Sequence, residues 1–174
     1  MKRFCYLLVF PVVLWLYGCG STDQEELPET VATSESAPVA AEPDTTLQQV
    51  TSLTLKAVGN SVDEMKYDQD TLEVKANNLV KLVLINEGTE PTMVHNVVFT
   101  QPDKHRVVAL EGARAGAPGN YVPESDAVIA ASPLALPGQQ VELEFTAPSA
   151  PGSYNFVCTY PTHWKRMNGV FLVK

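Results

Sequence analysis

Cysteine is scarce in this chain, with three in 174 residues. Cys5 and Cys19 fall within the first twenty positions, which leaves Cys158 alone near the far end and excludes a disulfide framework. Basic residues are also few. Twelve Lys and Arg against 20 Asp and Glu give a net charge of −8, without the basic footprint of a nucleic-acid-binding surface. No uncharged apolar run reaches the ~20 residues of a membrane-spanning helix. Thirteen prolines and only 18% charged residues argue against a long helical or coiled-coil protein. What is present is a hydrophobic content of 45%, enough for a core, in a length that suits one domain of ~150 residues plus extensions.

The first extension reads as an export signal. Lys2 and Arg3 precede an uncharged, mostly apolar run from Phe4 to Tyr17, interrupted by Pro11. Leu16-Tyr17-Gly18-Cys19 resembles a bacterial lipoprotein signal, which implies removal of residues 1–18 and lipidation of Cys19 as the mature N-terminus. An uncleaved anchor or an ordinary signal peptide are the alternatives. Loss of the signal would discard Cys5 and leave Cys158 as the sole thiol.

Residues 20–50 carry seven acidic side chains and no Lys or Arg, and Pro28, Pro38 and Pro43 divide them. Without apolar periodicity, burial cannot offset the entropy of ordering, so 19–50 is expected to be a lipidated Cys and a flexible acidic tether. A coil of this length spans roughly 30 Å on average. The expected domain, 51–174, holds 10 basic and 13 acidic residues and is only mildly acidic.

From residue 51 the hydrophobic period is two. Leu53, Leu55 and Ala57 alternate with polar residues, as do the residues of 72–75, 141–145 and 154–158. Lys81–Ile85 is a fuller apolar run, as for a central strand, and Val97–Phe99 and Val170–Val173 add two more. Seven or eight short strands separated by Gly, Pro and Asn predict an all-β sandwich. Residues 105–137 break the pattern, with a short helical insertion expected near 106–115.

One segment carries chemistry. Cys158-Thr-Tyr-Pro-Thr-His163-Trp-Lys-Arg-Met167 places a thiolate, an imidazole and a thioether on a loop between two strands, and His95 lies 63 residues upstream of the cysteine. Two His, one Cys and a weak axial Met are the ligand set of a blue copper electron-transfer site, because sulfur donors favour Cu(I) and imidazoles also suit Cu(II). Alone, Cys158 reads as a small buried hydrophobe and His95 as a satisfied strand-end histidine. It is the combination at this spacing that points to metal. A copper chaperone or store is the alternative function, although methionine is sparse. A cysteine nucleophile with His163 as base is conceivable, but no Ser-His-Asp pattern or second metal cluster accompanies it, so no enzyme activity is expected.

The domain resembles azurin, within the cupredoxins. The likeness rests on the Cys-x4-His-x3-Met spacing, His95-Asn96, Gly59-Asn60, Met65-Lys66-Tyr67 and the closing Gly169–Lys174, and it covers most of 52–174. It implies a Greek-key β-sandwich binding one copper that cycles between Cu(I) and Cu(II). His95, Cys158 and His163 would be equatorial ligands and Met167 axial. Asn96 and Thr159 would link the two ligand segments, and the backbone N–H groups of Asn96 and Tyr160 would point at the Cys158 sulfur. Val94 stands where azurins have a glycine whose carbonyl approaches copper, which leaves a fifth contact open. The positions of the azurin disulfide are Leu53 and Asn78 here, so that staple is missing.

The resemblance further implies a monomeric, extracytoplasmic electron carrier serving redox proteins such as cytochromes or a terminal reductase or oxidase. Lipid on Cys19 would hold it to the outer or inner membrane, or to the cell surface. Met93, Trp164, Lys165 and Arg166 would form part of the partner-docking surface around His163. Trp164 has no core-like neighbours in the sequence and is expected to be exposed.

Overall fold

The computed structural model describes residues 47–174. The expected signal peptide, Cys19 and all of the expected tether before residue 47 lie outside the described residues. Nine strands form two sheets: β1 (Val50–Val58), β2 (Lys66–Tyr67), β3 (Thr71–Val74), β4 (Leu79–Asn86), β5 (Val98–Thr100), β6 (Val128–Ala131), β7 (Gln140–Thr146), β8 (Gly152–Val157) and β9 (Asn168–Val173). One sheet has the order β2-β1-β4-β7 and the other β3-β9-β8-β5-β6. The pairs β1/β4 and β3/β9 are parallel and all other strand pairs among the described residues antiparallel. The expected all-β sandwich is the observed fold.

Alternation decides which face each strand buries. On β4 the side chains of Val80, Leu82 and Leu84 point into the core, and this strand is central, between β1 (Leu55 opposite Leu84) and β7 (Leu82 opposite Leu143). The facing sheet contributes Leu72, Phe99, Phe156 and Phe171. At the position of the absent staple, the Asn78 side-chain amide donates to Thr51 Oγ (2.9 Å) and ties β4 to β1 by a hydrogen bond.

The second sheet is covered on its outer face as well. Val98 and Val157 are register partners on the side away from the main core, and the helix α1 (His105–Ala115) lays Val108 and Ala109 over them. This is why all three residues of β5 are buried. A Cβ on Gly112 would lie 2.2 Å from the Tyr121 carbonyl oxygen and 3.1 Å from Thr159 Cβ, so a side chain there would push the helix off the Tyr121 backbone and crowd the segment that follows Cys158. The helix stops at Gly116, whose φ of 65° favours glycine, and the Gly116 N–H caps the Gly112 carbonyl. The expected insertion near 106–115 is thus a lid over one flank of the ligand loop.

Two strands had no sequence signal. β2 is two residues long, too short for a period. β6, Val-Ile-Ala-Ala, does not alternate and sits within the stretch read as irregular.

Candidate metal centre

The end of β8 delivers Cys158. The chain then makes a loop whose ends are cinched, because the Cys158 N–H donates to the Met167 carbonyl (2.9 Å) just before β9 begins. Inside the loop, His163 opens a single 3-10 turn and its carbonyl accepts from the N–H groups of Arg166 (3.0 Å) and Met167 (2.9 Å). These bonds bring His163 and Met167 back over Cys158.

His95 arrives from the other side of the chain. It forms an isolated antiparallel bridge with Ala135, with N–H to carbonyl distances of 3.1 and 2.7 Å. The bridge is held by Asn86, a buried residue at the end of β4, whose side-chain amide donates to the carbonyls of Met93 (2.7 Å) and Ala135 (2.9 Å) and accepts from the Gly88 N–H (2.9 Å). Asn86 escaped the sequence reading. Its signal was an amide at the inward position of a buried strand, where only a fully bonded polar group is tolerated.

The three side chains converge. His95 Nδ1 and His163 Nδ1 are each 3.9 Å from Cys158 Sγ and 3.2 Å from each other. Cys158 and His95 are fully buried and His163 is 3% exposed. Burial, with His163 adding to it, lowers the pKa of His95 to about 4, and burial lowers His163 to about 4. Two neutral imidazoles therefore bring their Nδ1 atoms together beside the cysteine sulfur, a group of three donors that can hold a metal ion. Burial pushes the Cys158 thiol up to about 11, while the Asn96 and Tyr160 backbone N–H groups and the Tyr67 hydroxyl pull it down.

The separations test which ion fits. With bonds of about 2.05 Å to nitrogen and 2.3 Å to sulfur, they correspond to angles of about 103° between the nitrogens and about 127° from each to sulfur. These close to about 357°, so the three donors and the ion would be nearly coplanar. A tetrahedral ion with the same bonds needs nitrogen–sulfur separations of about 3.6 Å. A trigonal His2Cys set is the arrangement of a blue copper site.

A match to the model of copper binding proteins of the plastocyanin/azurin family runs over residues 53–174. The chain belongs to this family. Auracyanin-A of Chloroflexus aurantiacus is 33% identical over 119 residues, covering 67% of this chain and 72% of the relative. Its solved structure, described as that of a "blue" copper protein, superposes with a TM-score of 0.64 at 30% identity over 72% of this chain and 99% of that one. Azurin of Pseudomonas fluorescens biotype C is 30% identical over 125 residues, 68% of this chain and 98% of the relative. Outer membrane protein H.8 of Neisseria meningitidis is 34% identical over 118 residues, covering 65% of this chain and 64% of the relative. This azurin-like cupredoxin is a copper protein and an electron carrier, not an enzyme.

The remaining expected site residues fall as follows. Asn96 and Thr159 bridge the two ligand segments: the Asn96 amide donates to Thr159 Oγ (2.9 Å) and its oxygen accepts from the Thr159 N–H (2.9 Å). Met167 is fully buried in the core cluster that holds Cys158, and Val94 is buried beside His95 in sequence. Met93, expected on the docking surface, is 1% exposed and packs in the main core, because Asn86 draws its backbone inward. Trp164, expected to be exposed, is half-buried against Val98, Val108, Ala109 and Val157, with the Arg106 guanidinium 5.6 Å over its ring. The helix supplied the apolar neighbours that the local sequence lacked. Lys165 and Arg166 are exposed, and Arg166 lies 3.4 Å from Asp63.

Proposed function

We propose that the protein is a membrane-tethered type 1 copper carrier in which His95, Cys158 and His163 hold the ion equatorially and Met167 axially. The observation that carries the ligand assignment is the convergence of two buried imidazoles and one buried cysteine, with their ligand atoms 3.2–3.9 Å apart. The bound copper supplies a one-electron couple. This chain's residues hold the donors in place, with the Asn96–Thr159 bridge fixing the ligand segments to each other and the sandwich excluding water. Little reorganisation is then needed between the two oxidation states. Burial of all three donors on strand-framed segments supports a carrier over a copper store, which needs accessible, mobile ligands. The Val94 carbonyl remains a candidate fifth contact.

The tether reading rests on Cys19 in its signal-like context, and on a relative named as an outer membrane protein. No helix of the described residues is long and apolar enough to cross a membrane. Lipid on Cys19 would place the domain on the extracytoplasmic face, within reach of cytochromes or a terminal reductase or oxidase. Electrons would enter near His163, beside Tyr160, Lys165 and Arg166. Arg106 over Trp164 adds a further cation to this flank and favours an acidic partner.

Addition of Cu(II) to the apo-protein should produce an intense thiolate-to-copper band toward the red end of the visible spectrum, lost on reduction and absent in Cys158→Ala. A colourless Cu(II) complex of the folded protein refutes the assignment. Cys19→Ser should abolish acylation and membrane retention, and an unacylated wild-type N-terminus would remove the tether. Lys165→Glu with Arg166→Glu should slow electron transfer from an acidic donor at low salt while leaving the spectrum intact. An unchanged rate removes both residues from the docking surface.

A further inference from the structure

The backbone and side chain of Asn96 make two separate contacts at the metal centre. Its side chain ties Thr159, and its carbonyl accepts from Tyr67 Oη at 2.5 Å. The first was expected from the resemblance. The second comes from a different part of the fold. Tyr67 ends β2, the two-residue edge strand, where it pairs with Ala57 of β1. Its ring crosses the sandwich to lie 5.4 Å, centroid to centroid, from Phe156 on the facing sheet, and only 3% of the residue is exposed. Tyr67, Cys158 and Met167 share one core cluster.

A phenol this deeply buried needs a partner for its proton. The partner it takes is the carbonyl of the residue next to His95. Asn96 is thereby fixed at its carbonyl by Tyr67 and at its side chain by Thr159, so the residue that follows His95 is held from both sides against the residue that follows Cys158.

We propose that Tyr67 is a positioning residue for the copper–thiolate bond, its hydroxyl clamping the Asn96 carbonyl so that polar hydrogens stay directed at the Cys158 sulfur. The inference rests on the copper reading of the site. Hydrogen bonds around a ligating sulfur tune the potential, and they favour the more electron-rich thiolate of the reduced state. Deleting the hydroxyl should therefore favour the oxidised state.

Tyr67→Phe keeps the ring and its packing on Phe156. Copper-loaded Tyr67→Phe should have a lower reduction potential than the wild type and a shifted thiolate-to-copper band. Tyr154→Phe is the control. It deletes the hydroxyl of another buried tyrosine, one that donates to the Ala150 carbonyl (2.9 Å) at the end of β8 away from the ligand loop, and it should move neither readout. An unchanged potential and band in Tyr67→Phe, or equal shifts in both variants, would overturn the proposal. Absence of a blue band in the wild type would instead overturn the copper reading. In the metal-free wild type, the Tyr67 hydroxyl proton should appear in NMR spectra as a slowly exchanging downfield signal. Rapid exchange with solvent would overturn the clamp without reference to metal.

Discussion

Acidification should weaken copper binding through one proton rather than three. The ligands must be deprotonated to bind. Burial leaves the two imidazoles uncharged down to pH about 4 and keeps the Cys158 thiol protonated up to pH about 11. Between about pH 5 and 10 the apo-site therefore presents two ready nitrogens and one thiol, and loading releases a single proton. Affinity should rise tenfold per pH unit, about 1.4 kcal/mol, or roughly a thousandfold and 4 kcal/mol from pH 5 to 8. Had the groups kept values of 6.5 and 9.0, loading at pH 5.5 would release nearly three protons, because both imidazoles would first have to lose theirs. The measurement is anaerobic competition for Cu(I) against a chelator of known proton dependence, with proton release checked by calorimetry in two buffers. A slope of two or more between pH 5 and 6 would refute the claim that the histidines are held neutral by the fold.

The same groups set the stability of the metal-free domain. The histidines are depressed below 6.5 and the unfolded chain takes up more protons there, so stability should fall as pH drops from about 6.5 to 4. It should also fall above about pH 9, where the unfolded thiol ionises and the buried one does not. Chemical denaturation across pH should give a plateau between those limits. Met167→Gln should retain the blue band with a lower potential in voltammetry, since an oxygen donor favours Cu(II); an unchanged potential would place Met167 away from the metal. Asn96→Ala should cost about 2–3 kcal/mol in urea unfolding, because it leaves the buried Thr159 N–H unpaired. Gly112→Ala should destabilise by about 1–3 kcal/mol, since the new methyl meets the Tyr121 carbonyl.

Much of this protein is local and therefore legible in the sequence. Alternation along 53–57, 72–75 and 141–145 fixes which side chains face inward, because pleating has a period of two wherever the strand ends up. The Cys158–His163–Met167 spacing is short enough for one loop between two strands to dictate it. The pairing of Asn96 with Thr159 was accessible only through the resemblance, since 63 residues separate them. Tertiary structure alone decided the rest. β2 has no periodicity to read and exists because β1 offers it an edge. Tyr67 reaches Asn96, and Asn86 reaches Ala135, only once the two sheets stack and the loops cross their ends. Met93 is buried and Trp164 covered for the same reason: exposure belongs to what packs from elsewhere in the chain, here Asn86 pulling one backbone inward and α1 lying over one indole. The ligand types follow from the sequence, whereas their convergence, their burial and the resulting neutrality of both imidazoles come from the closed sandwich that brings residues 95 and 158–167 together and keeps water out.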